Sequence, residues 1–261
     1  MRVAGAVAVV TGGASGIGAA LARRFAAAGA ERVIVVDRDH AGAQAVADDI
    51  GGVAEEVDVT DAAAVQDLVT RTLNRDERID LFCSNAGIAT GVGLDDADDL
   101  WHRAYEVNVM AHVYAARAVL PAMLARGSGW LLSTASAAGL LTSPGDAPYA
   151  VTKHGAVALA EWLALTYGLR GIGVSVVCPM GVATPLLMDP LAAGDPGARA
   201  VAASGEILTA EQVADAVVAG LAEERFLILP HAQVGTFWAQ KASDPDRWLA
   251  GMRRFVESRQ E

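Results

Sequence analysis

The sequence predicts an α/β domain: one doubly wound, seven-stranded parallel sheet with helices on both faces, spanning residues 1–261. Two observations carry that expectation. Short apolar runs rich in valine, isoleucine and leucine alternate with helix-patterned segments from one end of the chain to the other, and repeated βα alternation implies parallel strands covered on both sides. The first such run passes directly into a glycine-rich junction, TGGASGIG, at residues 11–18. A third observation sets the scale. At 261 residues, 53% hydrophobic and 20% charged, the chain supports a large core, and neither an internal repeat nor an interdomain linker interrupts it.

In chain order, strands are expected at 6–11 (AVAVVT), 32–37 (RVIVVD), 53–59 (VAEEVDV), 79–85 (IDLFCSN), 130–136 (WLLSTAS), 173–179 (GVSVVCP) and 226–230 (FLILP). Helices are expected over GIGAALARRFAAAG and DAAAVQDLVTRTLN, and Thr209 with Gln212 forms a capping box opening AEQVADAVVAGLAEE. Residues 184–206 read as an irregular stretch long enough to be a mobile substrate lid. The apolar opening MRVAGAVAVV reads as a first strand and not as a signal peptide, and no membrane span is expected.

The net charge of −11 argues against a nucleic-acid partner, which needs basic patches. Cys83 and Cys178 each sit in an apolar run and are expected as free buried thiols of a cytoplasmic protein. The five histidines show no metal-ligand spacing, so no metal site is expected.

The chemistry begins at the glycine-rich junction. Gly12, Ser15, Gly16, Ile17 and Gly18 follow a strand and open a helix, where close backbone approach and free amides suit a pyrophosphate. The spacing is G-x-x-x-G-x-G and not the common G-x-G-x-x-G. Asp37 closes the second strand 19 residues after Gly18, the place for a carboxylate that accepts from an adenosine ribose diol and repels a 2′-phosphate. NAD is therefore expected; Arg38, next along, would hold that phosphate in the alternative NADP reading. Asp58 and Val59 are candidates for the adenine edge, with helix capping the alternative for Asp58.

Tyr149 and Lys153 stand at i and i+4, one helix face apart by a single turn. A phenol alone is a poor base at neutral pH. A neighbouring ammonium and a positive nicotinamide ring favour the phenolate, making the pair a general acid–base for a hydroxyl or carbonyl exchanging hydride. Ser136 lies 13 residues upstream of Tyr149 at a predicted strand end, where its hydroxyl can orient substrate; Ser133 and Thr134 compete for that part.

Taken together, TGGASGIG, Asp58 in DVT, NAG at 85–87, Asn108 in VNV, Ser136 before AAG, YAVTK, and Pro179 to Thr184 resemble the short-chain dehydrogenase/reductase family over essentially the whole chain. The resemblance implies a Rossmann-like domain, a nicotinamide cofactor, and a homotetramer or homodimer. It implies a tetrad: Tyr149 as acid–base, Ser136 positioning substrate, Lys153 holding the nicotinamide ribose, and Asn108 keeping a water in the proton relay. Asn85, Ala86 and Gly87 would shape the pocket beside the cofactor, with Pro179, Gly181, Val182 and Thr184 on the nicotinamide side and Thr184 at the carboxamide. Ser84 and Met180 depart from the family pattern, Met180 standing where a glycine usually follows the proline. Leu140, Leu141, Leu186, Leu187 and Met188 flank the expected site and suggest a small apolar alcohol or ketone. Trp238, Trp248 and Phe255 read as packing or subunit contacts. The alternatives are an NADP-dependent ketone reductase and a non-catalytic cofactor-sensing scaffold of the same fold.

Overall fold

The computed structural model describes residues 1–258. Its strands are β1 (Val7–Thr11), β2 (Arg32–Asp37), β3 (Val53–Glu56), β4 (Leu81–Ser84), β5 (Gly129–Thr134), β6 (Ile172–Val177) and β7 (Leu227–Ile228). They form one seven-stranded sheet in the order β3-β2-β1-β4-β5-β6-β7, every neighbouring pair parallel. The helices are α1 (Gly16–Ala27), α2 (His40–Ile50), α3 (Ala62–Asp76), α4 (Asp98–Tyr105), α5 (Ala111–Arg126), α6 (Ala138–Leu141), α7 (Ala147–Tyr167), α8 (Pro185–Ala192), α9 (Pro196–Ala203), α10 (Ala210–Ala222), α11 (Ala232–Ser243) and α12 (Pro245–Glu257).

Strand periodicity sorts the core into two layers. Val7 and Val9 of β1 turn toward the side covered by α3, α5 and α7, packing with Leu68, Met123 and Leu163. Ala8 and Val10 turn to the other side, where Leu21 and Phe25 of α1, Val46 of α2 and Val217 of α10 bury themselves. All five β1 residues are buried, which is why that strand reads as a continuous apolar run. The order of strands reverses between β1 and β4, and the crevice at such a reversal, beyond the carboxyl ends of the strands, is where ligands bind in this architecture.

The observed elements differ from the sequence expectation at several places, three of which bear on the site. β3 stops at Glu56 and β5 at Thr134, so Asp58, Val59 and Ser136 sit in the connections just beyond the sheet. The stretch 184–206 is not irregular: it holds α8 and α9, each with proline in its first turn, a place where the missing N–H costs nothing. The capping box at Thr209 and Gln212 is formed in both directions. A continuous helical run, Asp98–Arg126, is long and apolar enough by length and composition to cross a membrane, but over half of its most apolar window is buried inside the fold. It carries one π-helical turn at Glu106–Met110.

Candidate active site

The glycine loop is shaped by close approach. Gly12 has φ +65°, and a Cβ there would come within 2.9 Å of the Ala86 Cα. A Cβ on Gly18 would lie 1.9 Å from the Gly12 carbonyl oxygen, so the helix seats directly on the loop. Thr11 and Asn85 lock the two crossovers together. The Thr11 hydroxyl accepts from the Asn85 and Ala86 amides at 2.9 and 3.2 Å, and the Asn85 side chain donates to the Thr11 carbonyl at 2.9 Å. No side chain caps α1. Its first amides, at Gly16 and Ile17, therefore meet the cleft as free donors at the positive end of the helix.

Asp37 stands at the mouth, its two oxygens accepting from the Ala14 and Asp39 amides at 3.1 Å each. Arg38, Asp58 and Val59 line the same end. Asp58 accepts from the Thr60 amide and hydroxyl at 2.9 and 2.8 Å. Those bonds, helped by Arg38 and Arg103, hold its carboxyl below the usual aspartate value. Helix capping falls instead to Asp61, which accepts from Ala63 and Ala64 at the start of α3.

At the other end α7 presents Tyr149 and Lys153 on one face, the ammonium 5.6 Å from the centre of the phenol ring. Lys153 is buried and donates to the Thr134 carbonyl at 3.0 Å. Burial lowers its pKa to about 8. Ser136 accepts from the Ala138 amide at 3.1 Å and hydrogen-bonds the phenol. The competitor Ser133 turns instead to His112 Nδ1, 3.3 Å away, whereas Thr134 lines the cleft with its hydroxyl unpartnered. The protein surroundings of Tyr149 raise its pKa. Burial raises it, Ser136 partly counters, and the neighbouring Asp146 and Cys178 push it further up.

Most expected residues converge on one cleft of about 1120 Å³, larger than the ~300–1,000 Å³ of a single small-ligand pocket. Pro179, Val182 and Thr184 line it together with Asn85, Ala86 and Gly87. Gly18, Asn108 and Gly181 stand behind its surface. Asn108 is fully buried, its amide donating to the Ile88 carbonyl at 2.9 Å and Thr152 at 3.0 Å while its oxygen accepts from the Ile88 amide at 2.9 Å. Both of its side-chain protons are thus engaged, so that amide holds the Ile88 segment and has no donor left for a water.

Four features escape a local reading of the sequence. Asp146, 8% exposed, accepts from Tyr149, Thr90 and Gly91 amides at 3.0, 2.7 and 2.8 Å and from the Thr90 hydroxyl at 2.7 Å. His231 clasps the segment beside Pro179: the Met180 amide donates to Nδ1 and Nε2 donates to the Gly181 carbonyl, both at 3.1 Å. Because an amide can only donate, the imidazole proton resides on Nε2, and burial holds the ring below the usual histidine pKa. Met180, in place of the expected glycine, has its methyl against Gly205. Finally, Trp248 and Phe255, expected as packing contacts, line the cleft with Phe237 and Met252, a consequence of α11 and α12 folding back over it.

Comparison with known proteins follows the same lines. The model of the short chain dehydrogenase family matches residues 6–193. A 1-deoxy-11-beta-hydroxypentalenate dehydrogenase of Streptomyces avermitilis is 35% identical, over 99% of this chain and 96% of its own. A short chain aldehyde dehydrogenase 1 of Euphorbia lathyris is 30% identical, over 98% and 88%. The crystal structure of a short chain dehydrogenase/reductase from Burkholderia phymatum in complex with NAD superposes with a TM-score of 0.86 at 28% identity, covering 94% of this chain and 96% of that one. A family match over most of the chain, on a sheet and cleft of this form, makes the chain a member of the short-chain dehydrogenase/reductase family of oxidoreductases.

Proposed function

We propose that the protein interconverts a secondary alcohol and a ketone with NAD(H), Tyr149 moving the proton. The observation that carries this reading is the convergence of Ser136, Tyr149 and Lys153 at one end of a cleft whose other end is the glycine loop and Asp37. The dinucleotide fits on two counts: the cradle at Gly12 and Gly18 admits no side chain, and the uncapped α1 start offers amides to a pyrophosphate. Asp37 supports NAD, since a carboxylate at the ribose position repels a 2′-phosphate.

When bound, the nicotinamide ring supplies the hydride acceptor or donor. Ser136 donates to the substrate oxygen and fixes it beside the phenol. On oxidation Tyr149 withdraws the hydroxyl proton, and on reduction it returns one to the carbonyl oxygen. Lys153, beside the phenol ring, would favour the phenolate by its charge and would hold the nicotinamide ribose. Asn108 holds the Ile88 segment in place beside the site. The helices over 184–206 act as the substrate lid, and the substrate is an apolar alcohol or ketone. The buried free thiols Cys83 and Cys178 suit a reducing cytoplasm. Self-association into a homodimer or homotetramer is supported by the exposed apolar side chains of α7.

Replacing Tyr149 by Phe tests the assignment. NADH titration should show binding within about twofold of wild type, with NAD(H) preferred over NADP(H), and turnover should fall by about 10²–10⁴-fold. Wild-type turnover in that variant would end the assignment; a preference for NADP would end the Asp37 part of it.

A further inference from the structure

α12 is amphipathic, yet none of its residues is buried. Trp248, Met252 and Phe255, at i, i+4 and i+7, share one helix face, and that face lines the cleft. Phe237 of α11 meets Trp248 with ring centres 6.0 Å apart and planes tilted by 45°. The hairpin of α11 and α12 is tied over the site by Lys241, whose ammonium donates to the Leu140 carbonyl at 2.7 Å. Charge is distributed unevenly along the cleft. Its cations are Arg38 and Arg103, which act on Asp58 at the nucleotide end, and Lys153 beneath Tyr149. Among the described residues no cation lines the apolar slot, whereas the carboxylates of Asp189 and Asp195 do line the cleft, on and before the lid helices. A carboxylate entering such a slot sheds hydration and meets no compensating charge, while apolar rings gain from burial against the aromatic stripe.

Resting on the oxidoreductase reading above, we propose that the hairpin of α11 and α12 is the substrate-selecting wall, and that it accepts a bulky, uncharged, ring-built alcohol or ketone while rejecting the carboxylate-bearing counterpart. The test compares 2-decalol, the same bicycle carrying a carboxylate, and cyclohexanol. Each is assayed for kcat/KM with NAD, and the corresponding ketones are assayed for their effect on the Tm of the NADH complex. Wild type should favour 2-decalol over its carboxylate by at least about tenfold, and Trp248→Ala should reduce the 2-decalol to cyclohexanol ratio by about tenfold. Met252→Arg, placing a cation in the slot, should shift preference toward the carboxylate. Equal or better use of the carboxylate by wild type overturns the proposal. So does an unchanged ratio in a Trp248→Ala protein that is folded by circular dichroism and binds NADH normally. Should Trp248→Ala fail to fold, Met252→Arg decides by whether selectivity moves. If wild type binds NADH but turns over none of the alcohols, the oxidoreductase reading fails. The wall then stands or falls on whether 2-decalone raises Tm more than its carboxylate does.

Discussion

Lys153 is a buried ammonium with a single hydrogen-bonded protein partner, the Thr134 carbonyl. Its pKa near 8 lies well below that of an exposed lysine, because burial disfavours the charge. Between about pH 8 and the ordinary lysine value the unfolded chain binds a proton that the folded chain has released, so this residue makes stability rise with pH across that window. Below about pH 8 both states are protonated and the folded state bears the whole cost, on the order of 3 kcal/mol for a shift of this size. Leaving the Thr134 carbonyl unpartnered costs roughly 1–3 kcal/mol in return. Lys153→Met should therefore hold or raise the Tm of the cofactor-free protein at pH 7 by up to a few degrees, while abolishing turnover. A calorimetric Tm several degrees below wild type would contradict this account. The i, i+4 spacing with Tyr149 is legible in the sequence because it is local. The upward shift of the phenol is not, because it arises from burial and from Asp146 and Cys178, and the latter lies 29 residues further along the chain.

Among the elements, α7 shows how one residue serves two structures. Asp146 followed by Ala147 and Pro148 carries the local signal of a helix start. Its bonds to Thr90 and Gly91, more than 50 positions earlier, have no local signal at all. Asp146→Ala removes the cap and strands buried donors, and should lower unfolding free energy by about 2–4 kcal/mol in denaturant titration. It also removes a negative charge that raises the Tyr149 pKa, so the alkaline rise of the oxidation rate should move to lower pH. A profile unmoved, or moved upward, would refute the electrostatic part. The lid segment teaches the complementary lesson. Thr184–Pro185 and Asp195–Pro196 are helix-start signals inside a stretch that reads as irregular, and Pro190 lies within α8. The seven strands were legible because fully buried parallel strands are apolar throughout. Their ends were not, since β3 and β5 stop before the apolar pattern does.

For the whole molecule, the outer face of α7 and the turn after it stay apolar in the isolated chain. Val151 is 57% exposed, Trp162 55%, Leu165 85%, and Leu169 fully. The first three recur at helical spacing, and a patch of this kind marks an association surface. Sedimentation velocity should return a dimer or tetramer, and Trp162→Glu with Leu165→Glu should shift it to monomer without altering circular dichroism. A wild-type monomer at micromolar concentration would remove the basis for that expectation. Composition and length made the class of fold legible, but no periodicity in the sequence announced that the last two helices would close over the cleft.

The clasp at Met180 and Gly181 has a consequence for synthesis. The residues that hold NAD in our reading are mostly N-terminal, from the glycine loop to Gly87, and in a chain made from its N-terminus they emerge first. His231 and Lys241 emerge near the end, and each grips backbone made much earlier, at Met180, Gly181 and Leu140. A chain that has not yet made His231 and Lys241 therefore lacks both grips on its reaction end. In our reading, the reaction end is held in shape only after the nucleotide end has been made.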